Sequence, residues 1–119
     1  MNSNYFEKEK KKIITLFKQK NFTNVRKYGV KYLEQAPGDY EIIRILGITL
    51  IQTQNFFEAE NYFKKLLFFE KNSDNYYTLG NIQKKINKFK DAIISFEHSL
   101  KINPNFSEAH NNLGNTKKY

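Results

Sequence analysis

The 119-residue sequence predicts an all-α protein built from stacked antiparallel helix pairs, and two observations support this prediction. Apolar residues recur at helical spacing on both sides of Asn87-Lys88, a dipeptide that is long enough only for a tight turn. The unit also repeats at intervals of 33 and 34 residues, as seen in the pairs Leu46-Gly47, Leu79-Gly80 and Leu113-Gly114. Short helix pairs that cannot bury their apolar faces alone have to stack on their neighbours.

Seven helices are predicted along the chain, and each ends at a turn signal. The first two lie near Glu7–Gln19 and Phe22–Gln35, and Pro37 cannot continue the second. The next two lie near Tyr40–Gln54 and Phe56–Glu70. The last three run from Ser73 to the turn at 87–88, from that turn to Pro104, and from Ser107 to about Asn115.

Equivalent positions divide the chain into a short leader and about 3.5 repeats. Ala59 and Phe63 precede Ala92 and Phe96 by the same 33 residues that separate the Leu-Gly pairs. A terminal repeat is expected to be atypical because one of its faces meets water. The predicted divisions are a leader at 1–5, a degenerate repeat at 6–39, repeats at 40–72 and 73–106, and the first helix of a fourth repeat or a capping helix at 107–119.

This pattern resembles the tetratricopeptide repeat (TPR) family from about Phe6 to the end of the chain. The resemblance rests on the Leu-Gly pairs, the later Ala and Phe, the turn aromatics Phe22, Phe56 and Phe89, and the closing Pro37 and Pro104. It implies a right-handed α-solenoid whose first helices line a concave groove. TPR proteins bind peptides or partner helices there, so the implied function is a non-catalytic scaffold for protein interaction.

The candidate peptide-binding groove consists of the inward-facing residues of the first helices in this register. Its side chains are largely apolar in the first two repeats and mainly amide or basic in the last two. They are Lys10, Ile14, Phe17, Arg44, Ile48, Ile51, Tyr77, Thr78, Asn81, Lys84, Asn112, Asn115 and Lys118. Asparagine suits such a groove because its side chain can both donate to and accept from a peptide backbone.

Two specialised TPR grooves offer a comparison with these residues. Members with a carboxylate clamp hold chaperone C-termini; Lys10 fits that clamp, but Ile14 and Ile45 replace its asparagines and Asp74 replaces a basic residue. Asn81 and the run at 111–115 resemble instead the asparagine ladder of O-linked N-acetylglucosamine transferase arrays. The alternative function is therefore the N-terminal TPR region of a larger transferase, of this or another kind, with its catalytic domain beyond residue 119.

Composition predicts a protein without catalytic or cofactor chemistry of its own in this segment. There is no cysteine, and the two histidines, His98 and His110, belong to no catalytic or metal-ligand pattern. No cofactor, metal or small-molecule substrate is expected. Neither a signal peptide nor a membrane-spanning run is apparent, so we expect a cytoplasmic protein that does not insert into membranes. The net charge of +8 favours an acidic partner.

Two further hypotheses concern the basic and C-terminal residues. The first is nucleic-acid binding by a lysine cluster, which comprises Lys84, Lys85, Lys88 and Lys90 with Lys117 and Lys118 nearby. Most aromatic residues, however, lie at packing positions of the repeats, which disfavours this function. The second is self-association, because Leu113 and Gly114 are packing residues that require a partner helix. On this view the chain is a fragment of a longer protein.

Overall fold

A computed structural model describes residues 3–119, and these residues form α-helices joined by short turns, without a β-strand among them. The predicted all-α class and the seven helices are thus confirmed for this part of the chain. The helices are α1 (Ser3–Lys18), α2 (Phe22–Gln35), α3 (Tyr40–Gln52), α4 (Phe56–Leu66), α5 (Ser73–Lys85), α6 (Phe89–Ile102) and α7 (Ser107–Thr116).

The helices belong to two compact units, which are described separately. The first unit ends at Asn55 and contains α1, α2 and α3, each of which packs against the other two. The second unit begins at Phe56; in it α5 packs against α4, α6 and α7, and α6 also packs against α7. The division falls between α3 and α4, the two helices that the sequence assigned to the second repeat.

Two helix boundaries differ from the sequence-based prediction by four residues, and the others agree with it to within about two. Helix α1 begins at Ser3 rather than Glu7, so residues 3–5 of the expected leader are helical, while residues 1–2 lie outside the described part. The Phe6 ring meets the Tyr32 ring of α2 edge-on, with 5.9 Å between centroids, and this contact anchors the first turn of α1. Helix α4 ends at Leu66 rather than Glu70, because the chain tightens into a turn at residues 67–69.

The same turn follows the first helix of each predicted pair, and its geometry recurs three times. Lys20, Gln54 and Asn87 have φ values of 58°, 62° and 63°, the left-handed region that residues other than glycine rarely adopt. In each turn, the next residue donates its backbone N–H to a carbonyl five positions earlier, at N···O distances of 2.7–2.9 Å. This is the Schellman arrangement, which satisfies the last carbonyls of a helix.

The core of the first unit forms where α2 meets α3. Ile13, Val25 and Leu46 are fully buried. Gly29 lies against Leu46, and a Cβ atom on Gly29 would be 3.0 Å from Leu46 Cδ2. The later repeats have phenylalanine at the position equivalent to Gly29, namely Phe63 and Phe96. In the first unit Leu46 therefore occupies the space that a phenylalanine ring at position 29 would need.

The core of the second unit is organised around Phe96 of α6. Its side chain is fully buried and lies over Gly80 of α5, where a Cβ atom would come within 2.6 Å of the ring. Ala92, one turn earlier on α6, is also fully buried. Small residues at Gly80 and Ala92 let α5 and α6 approach closely.

The ends of α5 and α6 are also joined by a buried pair of serines. The Ser73 hydroxyl donates to the Ser99 carbonyl at 3.0 Å, and the Ser99 hydroxyl donates to the Ser73 carbonyl at 2.9 Å. Both residues are buried, and their hydroxyl oxygens lie 2.9 Å apart. Because each hydroxyl reaches the other residue's backbone, the pair holds the start of α5 to the last turn of α6.

Gly114 does not make the close contact that Gly80 makes. It is equivalent to Gly80 in the repeat pattern, yet a Cβ atom on Gly114 would meet nothing within 4 Å. Leu113 beside it is only half-buried, whereas Leu79 of α5 is buried. The packing role predicted for Gly114 requires a partner helix, and no helix among the described residues lies beside Gly114 as α6 lies beside Gly80, so that role stays a prediction.

The two glycines provide a matched pair of substitutions. Gly80→Ala should lower the free energy of unfolding by about 1–2 kcal/mol, because the new methyl group overlaps the packed Phe96 ring. Gly114→Ala should raise it by up to about 1 kcal/mol through helix propensity alone. Urea unfolding followed by circular dichroism measures both. Equal effects of the same sign would contradict the structural difference between the two positions.

Candidate functional site

The predicted groove residues of the second unit include a hydrogen-bonded cluster between α5 and α7. The Asn112 side-chain amide donates to Asn81 Oδ1 at 2.7 Å and to the Tyr77 hydroxyl at 3.2 Å. All three side chains are only partly exposed. The structure thus brings together three residues that lie 31 and 35 positions apart in the sequence. We call these residues the amide cluster.

Aromatic contacts fix the position of Tyr77 in the amide cluster. Its ring lies 4.7 Å from that of Phe106 and 6.0 Å from that of Phe96, measured between centroids. The Phe96 ring is the core side chain that covers Gly80, so the amide cluster is built directly on the packing of the second unit. On α7, the Thr116 hydroxyl donates to the Asn112 carbonyl at 2.5 Å, and Thr116 is fully buried.

Some hydrogen-bonding groups of the amide cluster bond to one another, and others have no partner within the described part of the protein. Both N–H groups of the Asn112 amide are engaged by Asn81 and Tyr77. In the part of the chain that the structure describes, neither the Asn81 side-chain N–H₂ group nor Asn112 Oδ1 has a protein partner. A donor and an acceptor are therefore available side by side, which is what a peptide group requires.

The other groove residues predicted in the second unit lie around this cluster without joining it. Thr78 and Lys84 are half-buried on α5, and Lys84 lines a depression together with Asn81. Asn115 is exposed on α7. Lys118 is exposed and lies beyond the end of α7 at Thr116.

The predicted groove residues of the first unit are mostly apolar and half-buried, namely Ile14, Phe17, Ile48 and Ile51. The Phe17 ring lies 6.4 Å from that of Phe22, so it is held at the turn between α1 and α2. Arg44 on α3 is half-buried, with its guanidinium carbon 5.9 Å from the Tyr40 ring centroid. These residues offer apolar contact area more than hydrogen bonding.

Lys10 is engaged in ion pairs within its own unit. Its ammonium lies 2.9 Å from Glu41 Oε1 and 3.3 Å from Asp39 Oδ2. The hydrogen bond to Glu41 raises the pKa of Lys10, and burial only partly opposes it. Asp39 also caps α3 and accepts the Tyr32 hydroxyl at 2.7 Å. Burial, followed by this hydrogen bond, raises the pKa of Tyr32 to about 12.

A buried carboxylate in the second unit went unnoticed in the sequence. Glu60 of α4 is 3% exposed; its two oxygens accept from Lys88 at 2.8 Å and from the Gln83 amide at 3.2 Å. Ser95 donates in turn to Gln83 Oε1 at 2.6 Å. Burial alone would raise the pKa of Glu60, but the hydrogen bonds from Lys88 and Gln83 outweigh burial and hold it below its ordinary value. No sequence motif marks this network, because its members come from three helices and a turn.

A second feature missed from the sequence is a stacked aromatic pair at one end of the second unit. The Phe89 and Tyr119 rings are nearly parallel, 6° apart, with 4.4 Å between centroids. Depressions of about 540 and 490 Å³ both include these two residues in their lining. Sequence reasoning placed Phe89 at a turn, but nothing indicated that Tyr119 lies beside it.

Neither histidine has the environment of a ligand. His98 is exposed and stacks on Tyr76, with 5.0 Å between the ring centroids. His110 is exposed, and its Nε2 lies 2.8 Å from the Pro104 carbonyl oxygen. No group of three or more His, Cys, Asp or Glu side chains is placed to hold a metal ion within residues 3–119.

None of the seven described helices combines the length and apolar character that crossing a membrane requires.

Comparison with known protein families identifies one repeat. Residues 73–106 match the family model described as tetratricopeptide repeat. These are the residues of the third predicted repeat, from α5 to the end of the turn after α6. No curated protein sequence matches the chain.

Solved structures with a similar fold cover almost the whole chain. A crystal structure of MamA has a TM-score of 0.87 and 19% identity, covering 95% of this chain and 62% of its own. The first TPR of Spaghetti (RPAP3), bound to the HSP90 peptide SRMEEVD, has a TM-score of 0.81 and 19% identity, covering 99% and 94%. The Arabidopsis OM64 TPR domain has a TM-score of 0.82 and 18% identity, covering 100% and 99%. The chain thus spans less than two thirds of the MamA structure.

Proposed function

We propose that this chain, which has the fold of tetratricopeptide-repeat proteins, is a non-catalytic scaffold that binds an extended peptide or a partner helix. The observation that carries the proposal is the amide cluster of Tyr77, Asn81 and Asn112. The peptide-bound structure of the first Spaghetti TPR supports it by showing that a neighbour of this fold binds a peptide. In the second unit the proposed binding surface comprises the predicted groove residues of α5 and α7, and the first unit separately offers those of α1 and α3.

The amide cluster suits an extended peptide for a geometric reason. An extended chain presents N–H and C=O groups with no internal partner, and each requires a hydrogen bond when it leaves water. Asn81 Nδ2 can donate to a peptide carbonyl, while Asn112 Oδ1 can accept a peptide N–H. Because Asn112 is already held by Asn81 and Tyr77, little side-chain freedom is lost on binding.

The character of the partner follows from the side chains around the amide cluster. Lys84 adjoins Asn81, and the chain carries a net charge of +8, so an acidic peptide is favoured. The half-buried Ile14, Ile48 and Ile51 of the first unit favour apolar side chains in the partner. A cytoplasmic location is part of this proposal, on the sequence grounds given above.

Selection from a displayed library of random peptides tests the proposed function. Peptides enriched on the wild-type chain should bind the Asn81→Ala/Asn112→Ala variant at least about tenfold more weakly, because two backbone hydrogen bonds are removed. Isothermal calorimetry measures the affinity, and thermal unfolding by circular dichroism checks that the variant is folded.

The matched control is Asn61→Ala/Asn111→Ala, which removes two exposed amides of the second unit that belong neither to the predicted groove residues nor to the amide cluster. Its affinity for the selected peptides should remain close to that of the wild type. Failure to enrich any peptide, or an equally weakened affinity in the two variants, would overturn the assignment of the binding site to the amide cluster.

We also propose weak self-association through α7. Gly114 faces open space and Leu113 is half-buried, so this helix can receive another α7, although most of its exposed residues are polar. Sedimentation equilibrium should show an average mass that rises with protein concentration, and Leu113→Glu should abolish the rise. A mass that stays monomeric throughout would rule out the association.

A further inference from the structure

The aromatic pair Phe89–Tyr119, with Lys85 and Lys90 near it, forms a surface that adjoins the amide cluster at Asn81 and Lys84. Peptide binding by the amide cluster does not explain its exposed ring or these two further lysines. Tyr119 is 76% exposed, so one face of the stack is open to solvent. The first depression beside the stack is lined by Asn81, Lys84, Lys85 and Asn87, and the second by Asn87, Lys88, Lys90 and Asp91. We call the stack with these two depressions the basic aromatic surface.

The charges on the basic aromatic surface are mostly positive and mostly uncompensated. Lys84, Lys85 and Lys90 make no ion pair with any residue in the described chain, whereas Lys88 is bound to the buried Glu60. Among the described side chains that line the two depressions, that of Asp91 alone is acidic. Three free ammonium groups therefore flank one stacked pair of rings.

We propose that the basic aromatic surface binds single-stranded nucleic acid, with a base stacked on the open face of Tyr119 and phosphates held by Lys84, Lys85 and Lys90. Each depression, at about 500 Å³, has the size of a small-ligand site. Aromatic faces that accept bases and cations that follow the backbone are the two components of single-strand binding without sequence preference.

The observations favour nucleic acid over an acidic peptide at this surface. A nearly parallel stack with one ring largely exposed offers a flat face, which complements a planar base better than a carboxylate side chain. The cations of this surface are lysines, whose compact charges suit a series of phosphates. Unlike arginine, lysine does not form bidentate hydrogen bonds with a carboxylate. The only arginines of the chain, Arg26 and Arg44, lie in the first unit.

Fluorescence anisotropy with a labelled oligouridine of about 10 nucleotides tests the proposal on the 119-residue chain. The logarithm of the association constant should fall linearly with the logarithm of the salt concentration. Tyr119→Ala should weaken binding about tenfold, while Tyr119→Trp should retain or strengthen it, because the stacking face is kept. Lys84→Gln/Lys85→Gln/Lys90→Gln should reduce the salt slope by about 2, at about 0.7 for each phosphate that is no longer neutralised.

Two controls are matched to these variants. Lys8→Gln/Lys11→Gln/Lys18→Gln removes the same charge from α1 and should leave the salt slope nearly unchanged. Phe68→Ala removes a ring that is 80% exposed elsewhere in the second unit and should leave the affinity unchanged. Circular dichroism confirms that every variant is folded.

Three results would overturn the proposal. An equal reduction of the salt slope in the two triple lysine variants would mean that oligouridine binding depends only on the net charge of the protein. An unchanged affinity in Tyr119→Ala would mean that no base stacks there. Stronger binding of an oligoglutamate peptide than of oligouridine, with the same dependence on Tyr119, would assign the surface to an acidic protein partner.

Discussion

Replacing Phe96 with alanine is expected to lower the free energy of unfolding by about 3–5 kcal/mol, the largest effect of any single substitution discussed for this chain. The ring is fully buried and fills the space over Gly80, so its removal takes away apolar packing and leaves a cavity between α5 and α6. Urea unfolding followed by circular dichroism measures the change.

Ile94→Ala on the same helix is the control, because Ile94 is 53% exposed and its truncation should cost less than about 1 kcal/mol. Phe96 also lies beside Tyr77, so a folded Phe96→Ala variant should bind a selected peptide more weakly than Ile94→Ala does. Similar stabilities of the two variants would contradict the central packing role of Phe96.

Replacing Glu60 with glutamine is expected to lower the free energy of unfolding by about 2 kcal/mol at neutral pH. The substitution keeps the shape of the side chain but leaves one oxygen where the carboxylate had two. Lys88 and the Gln83 amide both donate to Glu60, so one of these donors is left without its acceptor whichever way the new amide is turned. Glu97→Gln, at an exposed position on α6, should change stability by less than about 0.5 kcal/mol.

The effect of Glu60→Gln should depend on pH, and its sign follows from the lowered pKa of Glu60. A carboxyl group whose pKa is lower in the folded state than in the unfolded state contributes stability when ionised. That contribution is fully present above the ordinary value of 4.5 and is lost as the pH falls through the folded-state pKa. The stability difference between wild type and variant should therefore shrink in acid. A difference that grows in acid would show that the carboxylate is not stabilised by its partners.

The sequence was sufficient to predict the helix pairs and where they meet. Gly80, Ala92 and Phe96 recur at the spacing of a repeated helix pair, and the structure places Phe96 directly over Gly80. The resemblance to TPR proteins is confirmed for residues 73–106 and for the fold. The helix pairs can be predicted from the sequence because each pair is formed by a single stretch of about 34 residues.

Features that depend on neighbours distant in sequence could not be predicted. Leu79-Gly80 and Leu113-Gly114 are the same dipeptide, yet one glycine touches a ring and the other touches nothing, because the difference lies in the helix packed beside them. Lys10 pairs with Asp39 and Glu41, which the sequence did not indicate, and its place in the groove stays a prediction.

The sequence did not indicate which of the predicted groove residues form hydrogen bonds with one another. Helical spacing places Asn112 and Asn115 on neighbouring faces of α7, and only rotamers and the position of α5 decide that Asn112 reaches Asn81. The role of these residues in binding stays a prediction.

The turn that recurs at Lys20, Gln54 and Asn87 has a consequence for the way the chain folds. Each turn is closed by hydrogen bonds between residues at most five positions apart, and each leads into the helix that follows. Contacts of such short range form quickly, because little chain entropy is lost in closing them. These turns should therefore form early in folding. Substituting glycine for Asn87 should make its turn easier to form, because glycine adopts the left-handed backbone conformation without strain.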